Sequence, residues 1–331
     1  MGGKVCVVIP FYQNSEGLLR TAVKSVLDQR DVDNVMIVIV DDGSPMPARR
    51  ELEPILANHA DKIMIIEQKN AGAPAASNKG LDSVPGDTDY VAFLDSDDEW
   101  SNDHLANALS ALENGYDFYF SDFYQLGQNI SAFNRAQRIT VDDHPKIEGY
   151  DFLHEYQGDM VDQIIKGNIL GVSVTVYNYR RMPEVRYRED FRHTGMEYLL
   201  WVDLAKRSQK IAFSSKCECR YGAGVNIFSE ASWGTTKFLT VITDSVKFRK
   251  ILLREYSLTN DQRHFLVERI WSLRSSFVKG AVHLLLKGKV ASTLSTLAGH
   301  AKVDPTMVAL FLPMALALAY EKMTGRERGE L

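Results

Sequence analysis

Five consecutive residues, Asp95-Ser96-Asp97-Asp98-Glu99, hold four carboxylates and follow directly on the apolar run Val91-Ala92-Phe93-Leu94. Such a run reads as a strand buried on both faces, which sets the acids at its carboxyl end. Carboxylates packed this closely repel one another unless a cation or solvent lies between them. A hard divalent ion held by one or two carboxylates and by substrate phosphates answers that need. The plainer alternative is an acidic turn in which Ser101, Asn102 or Asp103 caps a helix starting near His104. A further acid, Glu197, stands at the start of the helical pattern YLLWVDLAKR, where the helix dipole stabilises a carboxylate. It reads either as a group that projects into a cleft or as a helix-start acid without chemistry. His193 is the reserve candidate for proton transfer, because imidazole titrates near neutral pH.

The elements that must position these residues alternate in type. Lys4 to Pro10, Val35 to Val40 and Lys62 to Glu67 are apolar strands, and Glu16 to Gln29 and Ala48 to Ala60 are helical. The small-residue segment Asn70 to Gly80 enters a short helix before the strand that ends at the acids. This alternation predicts an α/β fold with a mostly parallel, Rossmann-like central sheet and helices on both faces. Ligands of such sheets sit beyond the carboxyl ends of the strands. Phe11-Tyr12, Asp41-Asp42 and Asp95 to Asp98 all fall there. Tyr116 to Gln128 reads as a half-buried strand, Gly171 to Tyr179 as another, and Ile211 to Phe213 as an edge strand. Tyr221 to Trp233, rich in glycine and aromatics, reads as a lid or a core-capping loop. No GxGxxG follows the first strand and no GxxxxGK[ST] occurs, which disfavours hydride transfer and the phosphate loop.

Composition bounds the rest. The chain has 331 residues, 45% hydrophobic and 24% charged, enough for a sizeable core in an ordinary globular class. Residues 1–130 carry 9 Lys/Arg against 21 Asp/Glu, a balance that argues against nucleic acid as partner. Residues 246–289 carry 10 against 3, which suits an acidic surface. Cys6, Cys217 and Cys219 fit no disulfide framework and suggest a reducing compartment, and Cys217-Glu218-Cys219 is placed in a strand. No signal peptide is visible. The expected location is cytoplasmic, with a peripheral place on the inner face of the cell membrane open.

The segments VVIPFYQ, VDDGS, NAGAPAASNKG, FLDSDDEW and GMEYLLW occur in the order seen in family 2 glycosyltransferases, and the chain resembles that family over roughly residues 4–205. The resemblance implies a GT-A fold and an inverting, usually metal-dependent transferase that uses nucleotide-activated sugars. It implies that Pro10, Tyr12, Asp41 and Asp42 form the base- and ribose-binding edge. Asp95 and Asp97 are similar to the family's DxD pair, the first near ribose or metal, the second a ligand of Mg2+ or Mn2+ at the diphosphate. Ser96 lies between them. Asn70, Gly72 and Asn78 would line the donor pocket. The family usually has Arg before the second Asn, where this chain has Ser77, so the cationic diphosphate contact is either absent or supplied by Lys79. The family's Glu-Asp motif becomes Met196-Glu197, and Glu197 takes the place of the catalytic base.

These readings divide the chain into a glycosyltransferase domain over 1–235, with a nucleotide-sugar half to about 128 and an acceptor half from 129, and a helical C-terminal region over 236–331. Met307 to Tyr320 is an uncharged stretch of about 21 Å at 1.5 Å per residue, shorter than a hydrocarbon core of about 30 Å. It reads as a membrane-surface helix, a homodimer contact or a buried element. The partners expected are a nucleotide-sugar donor, a UDP-sugar foremost, and a glycan or lipid-linked acceptor of surface-polysaccharide synthesis. The alternatives are a nucleotidyltransferase and a non-catalytic scaffold in a polysaccharide-assembly complex.

Overall fold

The structure, a computed structural model, describes residues 2–125, 127–167, 169–224 and 231–324. These form two compact units, residues 2–190 with 196–224, and residues 191–195 with 231–324.

The first unit opens with strands β1 (Val5–Phe11), β2 (Val35–Asp41), β3 (Ile63–Glu67) and β4 (Tyr90–Phe93). Helices α1 (Leu18–Leu27), α2 (Ala48–His59) and α3 (Ala73–Leu81) connect them. The four strands are parallel in the order β3-β2-β1-β4, as their continuous apolar runs require of strands covered on both faces. Register places Phe11 beside Asp41 and Val8 beside Phe93, so the carboxyl ends of β1, β2 and β4 lie along one edge. Helix α1 starts at Leu18, the first residue of its apolar pattern and two residues later than the expected Glu16. Gly17 takes a left-handed φ of 98° there, which ends the loop. Glu51 then accepts the amides of Gly17 (2.8 Å) and Arg20 (3.1 Å), replacing the missing side-chain cap.

The sheet continues through β5 (Glu99–Trp100), β6 (Phe118–Tyr124), β7 (Leu153–Glu155), β8 (Val176–Asn178) and β9 (Ile211–Arg220). Between them lie α4 (His104–Leu112), α5 (Ala132–Ala136), α6 (Met160–Lys166) and α7 (Met196–Arg207). Beyond β4 the order is β8-β6-β9-β5, with β7 on β9, and β8 antiparallel to both neighbours. Three expectations change. Strand β6 is buried rather than half-buried, with α4 and α5 packed on it. The expected edge strand at 211–213 runs ten residues and pairs with β5, β6 and β7, with Cys217-Glu218-Cys219 inside it. Of Gly171 to Tyr179 only β8 is strand, and Val172–Val174 turns into a 3-10 helix. Asp103 precedes α4, yet makes no side-chain cap.

Buried Glu218 on β9 accepts hydrogen bonds from Tyr119 (2.7 Å) and Asn107 (2.7 Å) and meets His104 Nδ1 at 2.9 Å, which satisfies a charge away from water.

The second unit contains α8 (Thr236–Glu255), α9 (Asn260–Leu286), α10 (Val290–Val303) and α11 (Thr306–Thr324). The compositional break seen at Thr236 is the first residue of α8. Leu239, Val246, Ile270, Phe277, Ala281 and Met307 lie in its core. Thr259 and Gln262 form a capping box at the start of α9.

Candidate active site

Strand β4 delivers Asp95 to the sheet edge through Leu94, whose amide donates to the Val8 carbonyl at 3.1 Å. The acids then turn back, with the Asp98 amide on the Asp95 carbonyl at 3.0 Å. Ser173, in the 3-10 turn before β8, holds both ends of this turn. Its Oγ accepts from the Asp95 amide at 2.9 Å and donates to the Asp98 carboxylate. The Trp100 indole N–H donates to the Ser173 carbonyl, fixing that serine from the far side.

A second clamp comes from the chain after β9. The Gly222 amide donates to Asp98 Oδ1 at 2.9 Å and the Gly224 amide to Asp97 Oδ2 at 2.7 Å. A Cβ on Gly222 would stand 1.6 Å from the Asp97 carbonyl oxygen, and one on Gly224 2.6 Å from Asp97 Oδ2. The segment lies against the acidic turn because neither residue has a side chain. The remainder of the expected lid, residues 225–230, lies outside the described residues.

The electrostatics show why the acids need company. Burial, and then the charges of Asp98, Asp97 and Glu197, pushes the Asp95 carboxyl well above the ordinary range. Asp98 is raised to about 7 by burial and Asp97, against the opposing hydrogen bonds from Ser173 and Gly222. Glu197, on the first turn of α7, is thus brought within electrostatic reach of Asp95 from 102 residues away in the chain. Tyr187 shares this field. Burial, and then Asp95 and Glu197, raises its phenol well above the usual value, and its buried hydroxyl has no hydrogen-bond partner among the described residues. The site fits a hard divalent cation: the donors are carboxylate oxygens and negative charge is concentrated where water is scarce. Among the described residues no three acidic, histidine or cysteine side chains form a set that could hold a metal alone.

The other expected residues divide between those at the edge and those with different tasks. Tyr12, 39% exposed, follows β1 directly, with Pro10 half-buried inside that strand. Gln13 links the three clusters: its amide donates to Ser44 Oγ at 2.9 Å, and its side chain to Ser96 Oγ at 3.2 Å. Asp41 accepts from the amides of Ser44 and Ala48, both at 2.8 Å, and so closes the turn into α2. Asp42 accepts from Gln68 (2.8 Å) and from the amides of Ala71 (2.7 Å) and Gly72 (2.8 Å), which shapes the loop bearing exposed Asn70. Gly72 takes φ 96° there. Asn78 turns its amide to Tyr187 and Glu189, so in this structure it anchors the segment that carries Tyr187. Lys79 does not share a face with residue 77. Ser77 is buried and Lys79 exposed, two residues apart and so on opposite sides of α3. His193, the reserve, lies 3.4 Å from Asp244 in the second unit. Ser173, Gln13, Tyr187, Gly222 and Gly224 escaped the sequence reading. Only the glycine pair left a signal, as part of the glycine-rich stretch.

The mixed, mostly parallel α/β sheet with C-terminal helices is the GT-A fold, and solved structures share that fold. S. aureus TarS 1-349 in complex with UDP-GlcNAc superimposes with a TM-score of 0.64 at 16% identity, covering 98% of this chain and 93% of that one. A mannosyltransferase from Pyrobaculum calidifontis, in complex with GDP-Man and Mn2+, gives 0.59 at 15% identity, covering 99% and 89%. The model of Glycosyl transferase family 2 matches residues 6–184. The succinoglycan biosynthesis protein ExoW of Rhizobium meliloti is 30% identical over 246 residues, 71% of this chain and 74% of ExoW. The putative teichuronic acid biosynthesis glycosyltransferase TuaG of Bacillus subtilis is 27% identical over 239 residues, 70% and 84% of the two chains. The protein belongs to glycosyl transferase family 2.

Proposed function

We propose that the protein transfers a sugar, with inversion, from a nucleoside diphosphate sugar to an acceptor hydroxyl on a growing surface polysaccharide. The observation that carries this reading is the acidic turn at the end of β4, clamped by Ser173, Gly222 and Gly224, with Glu197 near enough for its charge to help raise the Asp95 carboxyl. Asp97 and Asp95 would hold Mg2+ or Mn2+ with the donor diphosphate. A cation bound there supplies Lewis-acid neutralisation of the departing diphosphate. Glu197 takes the acceptor proton as the hydroxyl attacks the anomeric carbon opposite the leaving group. Only one enzymic carboxylate then moves a proton, unlike the acid and base pair of a glycosidase. Tyr12, on the edge beside Asp42, offers a ring for the nucleotide base. UDP-sugars are the first donors to test, because TarS is solved with UDP-GlcNAc. Surface polysaccharide as acceptor follows from the names of ExoW and TuaG and of the amylovoran biosynthesis glycosyltransferase AmsB of Erwinia amylovora.

The test is incubation with a panel of nucleotide sugars and Mn2+, scoring release of nucleoside diphosphate. Release of pyrophosphate from triphosphates instead would mark a nucleotidyltransferase, and no turnover with any donor and acceptor fraction a scaffold. Glu197→Gln is expected to lower transfer by about 10²-fold or more while nucleotide affinity stays within about twofold. Transfer at the wild-type rate would remove Glu197 from the mechanism.

A further inference from the structure

Helix α11 presents one apolar face to its own unit and another to the outside. Met307, Leu310, Phe311, Met314 and Leu318 pack on the core of the C-terminal unit. Val308, Leu312, Leu316 and Tyr320, four residues apart in turn, are 62–73% exposed. Ala309, Pro313 and Ala317 are exposed between them, and no charge interrupts residues 306–320. A continuous outward apolar stripe of this kind marks an interaction surface. Among the described residues no helix is long and apolar enough to cross a membrane, so a lipid contact made by α11 would lie along the surface.

Charge selects the occupant. Residues 231–320 carry 12 Lys/Arg against 5 Asp/Glu, whereas residues 2–224 carry 23 against 34. Part of that positive excess gathers where α11 begins. Lys250, Arg254, Arg274 and Lys302 line a pocket of about 610 Å³ with half-exposed Trp271, and Pro305 leads from it into α11. Buried Asp304 takes Lys250 at 2.8 Å and Arg274 at 2.7 Å, which orders the pocket floor. The Arg254 side chain, paired with Glu255, is 73% exposed, and Lys302 is exposed. Two copies packed through α11 would bring two positive units together. An anionic bilayer answers both the stripe and the charge.

We propose that the C-terminal unit docks on an anionic lipid surface, with the outer face of α11 at the acyl boundary and the Arg254/Lys302 pocket around a phosphate headgroup. Tyr320 and Trp271 then lie at headgroup level, where amphipathic rings collect. This goes beyond the transferase reading and does not depend on Glu197 or the acidic turn.

Flotation of the full chain with vesicles of phosphatidylcholine, with and without phosphatidylglycerol, tests it. The wild type is expected to float with the anionic vesicles and to be released by salt. Leu312→Glu with Leu316→Glu should lose about tenfold or more in vesicle affinity at unchanged helix content. Arg254→Glu with Lys302→Glu, both on exposed side chains, should lose about 25-fold or more on anionic vesicles and flatten the salt dependence, since each cation is worth roughly fivefold. Wild-type protein left in the soluble fraction, or either pair floating like the wild type, overturns the proposal. So does light scattering that finds a dimer which the leucine pair turns into a monomer. Failure of flotation with sugar transfer intact would leave the transferase reading standing.

Discussion

Ser173→Ala removes one oxygen from the middle of the acidic turn and nothing else. That oxygen accepts the Asp95 amide at 2.9 Å and donates to the Asp98 carboxylate, in a side chain with no exposed surface. Leaving a buried amide unpaired costs about 1–3 kcal/mol, and a hydrogen bond to a charged group contributes about 1.5–3 kcal/mol. The two losses share one atom and the turn can relax a little, so a net loss near 3 kcal/mol is expected. A serine that only filled space would cost under about 1 kcal/mol, because alanine keeps its shape apart from one atom. Urea unfolding followed by tryptophan fluorescence reads the difference, and Trp100, bonded to the Ser173 carbonyl, reports locally. Asp98 would lose one of the two bonds that favour its ionised form, and Asp95 its anchored amide. Calorimetry with Mn2+ and nucleoside diphosphate should then show about a tenfold weaker affinity. A stability loss below 1 kcal/mol together with unchanged nucleotide affinity would refute the claim that Ser173 builds the turn.

Asp97→Asn should remove the metal-dependent part of nucleotide binding, so that calorimetric titrations with and without EDTA coincide. Gly222→Ala drives a Cβ into the Asp97 backbone and must displace the segment that clamps both aspartates. Turnover should fall about 10²-fold, by the usual cost of misplacing catalytic groups by about 1 Å, and the melting temperature should fall as well, because buried Asp98 loses a hydrogen bond. The C-terminal unit should lose stability in acid in two windows. His300, stacked on Phe277, is lowered from 6.5 to about 4 by burial, against the pull of Asp304. Its folded form therefore takes up a proton less readily than its unfolded form. Its contribution, roughly 3 kcal/mol, is present above pH 6.5 and lost as pH falls towards 4. For Asp304, burial would raise the carboxyl, but the bonds from Arg274 and Lys250 outweigh it and hold it at about 2, so its share fades only between 3.8 and 2. Thermal melts across this range, with Asp304→Asn as a control that removes the second window, check the order.

The apolar runs of β1, β2 and β4 and the helical spacing between them already imply a parallel sheet, because such runs are stable only when covered on both faces. The acids of residues 95–99 were legible for the same local reason: charge that dense demands a cation or solvent. Short polar residues were not legible. Ser173 lies in a stretch that reads as strand, yet its backbone forms a 3-10 turn before β8, and its contact with the acidic turn joins segments 75 or more residues apart. Asp41 and Asp42 look alike in sequence, yet one closes the turn into α2 and the other shapes the 68–72 loop, a division set by which amides lie in reach. Lys79 could be weighed as a stand-in for an arginine until the helix put it on the far side from Ser77.

From its amino acids alone, then, the chain determined which strands form, where they end and that acids crowd one of those ends. Both follow from burial and repulsion among neighbours along the backbone. Tertiary structure alone decided that Glu197 comes within the field of Asp95 and that two glycines far along the chain clamp Asp97 and Asp98. Electrostatic and steric contacts between distant segments depend on strand register and helix placement, which no local pattern encodes.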